Sequence, residues 1–290
     1  VAQDNPANRK ASKRIRRALA LTLGALVAGT VLMLMLLGPR DRDGAKVVWE
    51  RAKRLAIAKS GASLPGTPDL GDLKGRLEAN GLALGAPVFI RIFKREFELE
   101  MWMKRDDRYH RFAVYPICRW SGDLGPKLME GDGQSPEGFY TIDRRALNPN
   151  SRWHRSFNLG FPNAFDRSHG RTGSFLMVHG GCSSIGCYAM TDPVIDEIWR
   201  LVVAALDGGQ RMIHVHAFPF RPTADNLANR QDNPWLPFWQ DLKDGYEAFE
   251  ATQVPPSVTV CAGRYRVEAR QSAGSSEAPI KIDCRGEPRA

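Results

Sequence analysis

The uninterrupted apolar run from Ala18 to Leu37, ALALTLGALVAGTVLMLMLL, sets the first constraint on this chain. About twenty residues without a charge suffice to cross a hydrocarbon core of roughly 30 Å. Arg9, Lys10, Lys13, Arg14, Arg16 and Arg17 precede the run, against Asp4 alone. Residues 1–17 thus read as a basic cytoplasmic segment and residues 18–38 as a transmembrane signal anchor. The bulk of the chain is then expected beyond the inner membrane. A cleaved secretory signal is the competing reading. Its apolar stretch usually spans about 7–15 residues before a small-residue cleavage site, whereas Gly38-Pro39-Arg40-Asp41-Arg42 follows here.

The same terminus accounts for most of the charge. It supplies five of the nine net positive charges, so the basic balance is weak evidence for a nucleic-acid partner and none is expected. A mildly positive remainder suits an acidic polymer. With 43% apolar and 25% charged residues the chain is ordinary globular protein, neither disordered throughout nor collagen-like. Of its five cysteines, Cys118, Cys182, Cys187, Cys261 and Cys284, at least one must stay unpaired in a monomer. Export permits disulfides. Cys261 and Cys284 are placed to pair. Cys182 is open to three readings: pocket wall, partner of Cys118, or redox-sensitive neighbour.

Residues 39–85 read as a helical linker, with a charged helix over Lys46–Lys59 and a Gly/Pro/Ser breaker over Gly61–Gly71. From Pro87 short strand candidates succeed one another with Gly/Pro turns: 88–93, 96–103, 112–117, 139–143, 174–179 and 211–218. Residues 86–225 are therefore expected to be mainly β with flanking helices. One helix begins at Asp192, with Asp192 as cap and Pro193 in the first turn, and ends at Gly208-Gly209. Residues 226–253 read as a C-terminal amphipathic helix and 254–290 as a polar tail that could hold a hairpin.

The chemistry is concentrated in Val178 to Asp192, VHGGCSSIGCYAMTD. A cysteine attacks carbonyls as its thiolate, and His179, eight residues before Cys187, can take that proton and return it to a leaving amine. Gly186 leaves space and backbone freedom before the nucleophile. The N–H groups of Gly186, Cys187 and Tyr188 are the candidate oxyanion hole.

His179-Gly180 followed by Ser184-x-Gly186-Cys187 resembles the signature of the L,D-transpeptidase (YkuD-type) catalytic domain. Pro136-Glu137-Gly138-Phe139-Tyr140-Thr141-Ile142 is similar to a second segment of that family. Cys182, Tyr188-Ala189-Met190-Thr191-Asp192, Tyr115-Pro116-Ile117-Cys118 and Asn158-Leu159-Gly160-Phe161-Pro162 resemble its YafK-like branch, which includes a murein hydrolase that releases a lipoprotein from peptidoglycan. The resemblance implies an L,D-transpeptidase-like β-sandwich behind one N-terminal transmembrane helix, in the periplasm of a bacterium. It implies Cys187 as nucleophile, His179 as base and acid, and the Gly180 carbonyl as the group orienting His179. The substrate would be an amide at the L-centre of meso-diaminopimelate in a peptidoglycan stem peptide, with transfer to an amine, or to water where a linked outer-membrane lipoprotein is released. The family usually continues Gly-Cys-(Ile/Val)-Arg; Tyr188-Ala189 stand here instead, which puts ordinary cross-linking in question.

Ser184, Tyr188, Arg171 and His169 are the candidate substrate contacts, the two cations meeting stem-peptide carboxylates. Ser184 reads as a hydrogen-bonding turn residue rather than a nucleophile. His214-x-His216 lacks an acidic or cysteine partner nearby, so no metal is expected, and no organic cofactor is implied. A non-catalytic wall-binding module is the alternative of a different class.

Overall fold

The computed structural model describes residues 29, 39–272 and 278–284. Apart from Gly29, the expected anchor 18–38 lies outside them, as does the basic segment 1–17. Among the described residues no helix is long and apolar enough to cross a membrane.

The chain divides into two compact units, Val1–Val48 and Trp49–Ala290, and the fold below concerns the second. Helix α1 (Pro39–Lys59) begins earlier than the sequence suggested, and a short 3-10 turn (Leu70–Asp72) leads into α2 (Leu73–Ala79). Then come β1 (Val88–Phe93), β2 (Glu98–Arg105), β3 (Arg108–Pro116), β4 (Arg119–Trp120), β5 (Gly138–Ile142), β6 (Leu147–Asn148) and β7 (Ser156–Asn158). After α3 (Ala164–Ser168) follow β8 (Met177–His179), β9 (Tyr188–Ala189), α4 (Asp192–Asp207) and β10 (Ile213–Phe218). The chain ends with α5 (Ala224–Ala228), α6 (Leu236–Thr252), β11 (Ser257–Cys261), β12 (Arg264–Glu268) and β13 (Lys281–Ile282).

The mainly β expectation is met by mixed sheets with flanking helices. One sheet runs β3-β2-β1-β10-β5, a second β4-β9-β8-β7-β6, and a third β12-β11-β13. β1 and β10 pair in parallel at the centre of the first. Every residue of both strands is buried, as expected for strands covered on both faces. His216 lies edge-on between Phe89 and Phe139, with ring centroids 4.7 and 4.6 Å away.

Charge is also buried. Lys94, at the exit of β1, holds Glu137 at 2.9 Å with both side chains fully enclosed. Glu137 further accepts the Gly125 N–H at 2.7 Å and the Trp239 indole N–H at 3.0 Å. This one carboxylate ties the 136–138 segment to β1 and to α6.

Three expectations are corrected. The stretch expected as a linker is part of the folded unit from Trp49 onward. Arg51 donates to Gly122 O, Arg54 to Ile117 O, and Arg76 forms a two-point pair with Glu197 on α4. The helix expected over 226–253 is two helices, α5 and α6, because the Asn233-Pro234 turn interrupts the run. The segment expected as a tail forms the third sheet. β11 and β12 make the hairpin, turning on Ala262 and Gly263 at φ of 48° and 71°. The Cys261–Cys284 disulfide, as expected, fastens the chain beside β13. From β12, Tyr265 stacks on Phe165 and accepts the Asn163 amide at 2.8 Å.

Removing one partner of an enclosed ion pair strands the other, at about 3–5 kcal/mol. Lys94→Met is expected to lower unfolding free energy by about that amount in urea melts, and adding Glu137→Gln to recover part of it.

Candidate active site

His179 closes β8, and Cys187 stands one residue before β9. The two strands are parallel neighbours, with Val178 opposite Tyr188 and His179 opposite Ala189. Residues two apart on a strand share a face. Met177, His179, Cys187 and Ala189 therefore face one side, and Val178 and Tyr188 the other. β4 extends the pattern, with Arg119 opposite Ala189 and Trp120 opposite Tyr188. The second row is core, since Val178, Tyr188 and Trp120 are all fully buried. The first row carries the thiol and the imidazole.

Residues 180–187 join the strands. Gly181, Cys182 and Gly186 take φ of 76°, 46° and 119°. At Gly186 a side chain would be strained. Cys182 is held there by a disulfide to Cys118, just before β4, which resolves the three readings of Cys182. Cys187 is the free thiol. The Cys182 N–H bonds to Met190 O, and Met190 N–H to His179 O. Asp192 does not cap α4. Thr191 occupies the cap position without a side-chain bond, and Asp192 Oδ1 accepts the Gly181 N–H at 2.7 Å.

Hydroxyls fix the peptide before Cys187. The Gly186 N–H donates to Ser121 Oγ at 2.6 Å. Ser121 Oγ lies 2.6 Å from Ser184 Oγ, and Ser184 donates to Cys187 O at 2.7 Å. Ser135 donates to the same carbonyl at 2.9 Å. Ser184 is thus a clamp on the Cys187 backbone, in line with its reading as a hydrogen-bonding residue. The sequence analysis missed Ser121 and Ser135, because isolated serines in turns carry no local signal.

The His179 Nδ1 sits 2.5 Å from Gly180 O. A carbonyl only accepts, so Nδ1 carries the proton and Nε2 keeps its lone pair. Trp153 lies tilted beside the imidazole, 6.1 Å between centroids. Burial depresses the His179 pKa, and the Gly180 carbonyl partly offsets this. Burial pushes the Cys187 thiol up; the Met177 N–H, 3.4 Å from Sγ, and the Lys127 charge pull the other way. The Sγ also lies 3.7 Å from Phe175 O. Both shifts favour the neutral forms, thiol and imidazole.

Other expected site residues lie elsewhere. Gly186 is removed from the candidate oxyanion hole because Ser121 already takes its N–H, and Tyr188 because its N–H belongs to the β8–β9 ladder, which leaves Cys187. The Tyr188 side chain is no substrate contact: it is fully buried on the core row and donates to Pro136 O at 2.5 Å. Arg171 is enclosed with Asp166 at 2.8 Å and lies over the Phe165 and Phe238 rings. The His169 ring stacks 4.2 Å from Phe165, with Nδ1 3.0 Å from that residue's carbonyl. Both serve the packing of α3 rather than the face that carries Cys187.

Alkylation of Cys187 by iodoacetamide is expected to keep accelerating above about pH 8.5, the ordinary thiol pKa. A plateau beginning below about pH 7 would instead mark a resting thiolate–imidazolium pair. Replacing Cys118 and Cys182 together by Ser opens a loop of 64 residues. The expected cost is about 4 kcal/mol of unfolding free energy by the chain-entropy relation, with a loss of activity from loosening 180–187.

The L,D-transpeptidase catalytic domain (YkuD) family matches residues 95–246. The chain is 48% identical to YafK of Escherichia coli K12 over 184 residues, 63% of this chain and 75% of that protein. The crystal structure of the helical cell shape determining protein Pgp2 from Campylobacter jejuni is similar at 20% identity, covering 49% of this chain and 54% of that one, with a TM-score of 0.36. Bd1075 of Bdellovibrio bacteriovorus is similar at 19% identity over 59% and 65% of the two chains, with a TM-score of 0.31. With both sequence motifs inside the matched region, this chain belongs to the L,D-transpeptidase catalytic domain family.

Proposed function

We propose that the protein is a peptidoglycan-modifying cysteine acyltransferase. Its substrate is the amide at the L-centre of meso-diaminopimelate in a stem peptide. The observation that carries this reading is the shared face of His179 and Cys187, with the imidazole tautomer set by Gly180 O. As Sγ adds to the carbonyl carbon, Nε2 takes the thiol proton. The Cys187 N–H receives the oxyanion. Collapse breaks the C–N bond, the leaving amine takes the proton from Nε2, and a thioester remains. An incoming amine then reverses these steps, giving a new amide and a free thiol.

Hydrolysis is the second reading, releasing a lipoprotein attached to peptidoglycan. Phe175 and Ile185, 71% and 89% exposed, stand out in solvent around Cys187, which gives water access to the thioester. The two disulfides, the apolar run 18–38 and its basic flank support a catalytic domain in the periplasm, anchored in a bacterial inner membrane.

Mass spectrometry of muropeptides tests this. The full chain in detergent is incubated with tetrapeptide fragments and, separately, with protein-linked sacculi. Diaminopimelate–diaminopimelate cross-links are expected, absent with Cys187→Ala and at least about a hundredfold slower with His179→Ala. Release of protein or of terminal D-alanine without cross-links would make water the acceptor. Binding to sacculi without any product would leave a wall-binding module.

A further inference from the structure

A cleft of about 740 Å3 lies between the linker-derived wall and the 181–184 loop. Leu55, Ala58 and Lys59 of α1, with residues of the 61–70 segment, form one side. Gly181–Ser184, Thr191–Pro193 and Arg119 form the other. We infer that this cleft is a second subsite, which takes a carboxylate-bearing part of the substrate peptide on Arg119 and Lys59. The inference rests on the proposed acyl-transfer reading and extends it.

Three observations carry it. The first is position. Arg119 sits opposite Ala189, and Ala189 opposite His179, so all three share one face of the sheet. Strands lie about 4.8 Å apart. The Arg119 and His179 backbones are then roughly 10 Å apart, about three residues of extended peptide, with the fully buried Ala189 between them. Cleft and active site also share the loop that Cys182 and Ser184 fix.

The second observation is uncommitted charge. On the neighbouring helices α1 and α2, Arg51 is bound to Gly122 O, Arg54 to Glu50 and Arg76 to Glu197. Neither Arg119 nor Lys59 has an ion pair or side-chain hydrogen bond among the described residues. Arg119 instead faces a like charge. Arg51 is lowered to about 10, first by burial, with Asp123 raising it and Arg119 lowering it further. An anion beside Arg119 relieves that repulsion. The carboxylate in the lining is Asp192, and its Oδ1 is committed to the Gly181 N–H.

The third is shape. A volume near 740 Å3 is within the range of ordinary ligand sites, about 300–1,000 Å3. Leu55, Leu70 and Pro193 offer apolar walls for the aliphatic parts of a short peptide. A guanidinium binds a carboxylate through two parallel hydrogen bonds, which fixes orientation as well as presence.

The test compares the full chain with Arg119→Gln, Lys59→Gln and the double variant. Substrates are the disaccharide-tetrapeptide, its analogue amidated at the diaminopimelate carboxylate, and its analogue with a C-terminal carboxamide. Arg119→Gln is expected to raise KM about tenfold with kcat within about twofold. Arg119→Lys is expected to recover part of the loss, since a point charge lacks the planar fork. One of the two amidated analogues, whichever lacks the bound carboxylate, should show the same penalty with the unaltered chain and none beyond it with the double variant. Iodoacetamide labelling of Cys187 at the unaltered rate verifies the fold and the thiol in each variant. An unchanged KM in the double variant, or amidation penalties that persist there, would overturn the subsite. If the unaltered chain forms no product, the acyl-transfer reading fails by itself. Calorimetry of tetrapeptide binding to Cys187→Ala, with and without Arg119→Gln, then decides the subsite: binding lost with Arg119→Gln supports it, and equal binding or none in both overturns it.

Discussion

Adjacent parallel strands ordinarily need a crossover of a dozen or more residues, because the chain must return to its starting edge before running the same way again. β8 and β9 are joined by residues 180–187 alone. The short path works because β8 has three residues and β9 two, so little length has to be recovered. It demands left-handed backbone at Gly181, Cys182 and Gly186. It also delivers the end of one strand and the start of the next to the same place, with side chains on one face. The neighbourhood of His179 and Cys187 is thus a product of strand register, and the surrounding contacts serve to keep so tight a return closed.

Those contacts come from far along the chain. Ser121 and Ser135 hold the Gly186–Cys187 peptide from one side, and Cys118 holds Cys182 from another. Asp192, at the head of α4, gives up its capping role to hold Gly181. The lost cap costs on the order of 1 kcal/mol of helix stability, offset in part by Pro193 in the first turn and by the buried face of α4. On the opposite row of the sheet, Trp120 and Tyr188 enter the core, where Glu137 and Lys94 neutralise one another. The site therefore stands on a rigid floor.

Long strands and the amphipathic helix were legible in the sequence because periodicity repeats over several residues. β1, β10 and α4 fall within a few residues of expectation. That His179 and Cys187 lie near one another was legible because a motif packs residue type and spacing into a few positions. Tyr188 was misjudged for the opposite reason: a two-residue strand shows no alternation, so its inward direction follows only from pairing with β4 and β8. Arg171 and His169 were misjudged because a cation in a polar loop reads alike whether it faces a groove or an enclosed partner such as Asp166. The segment 39–85 looked like a linker because Arg51, Arg54 and Arg76 reach partners 63 to 121 residues away, and no local pattern records such separations. The third sheet was concealed by composition; it is held by one disulfide, by Val258, Val260, Tyr265 and Ile280 in the core, and by the Arg264–Asp241 pair.

The free thiol has to survive its own maturation. It is the odd member of five cysteines in a chain that closes two disulfides. Cys182, only five positions before it, is bonded to Cys118, so an activated disulfide forms beside an unpaired sulfur. Disulfide exchange requires attack by a thiolate. In the folded chain, the burial that raises the Cys187 pKa therefore slows exchange with its neighbour.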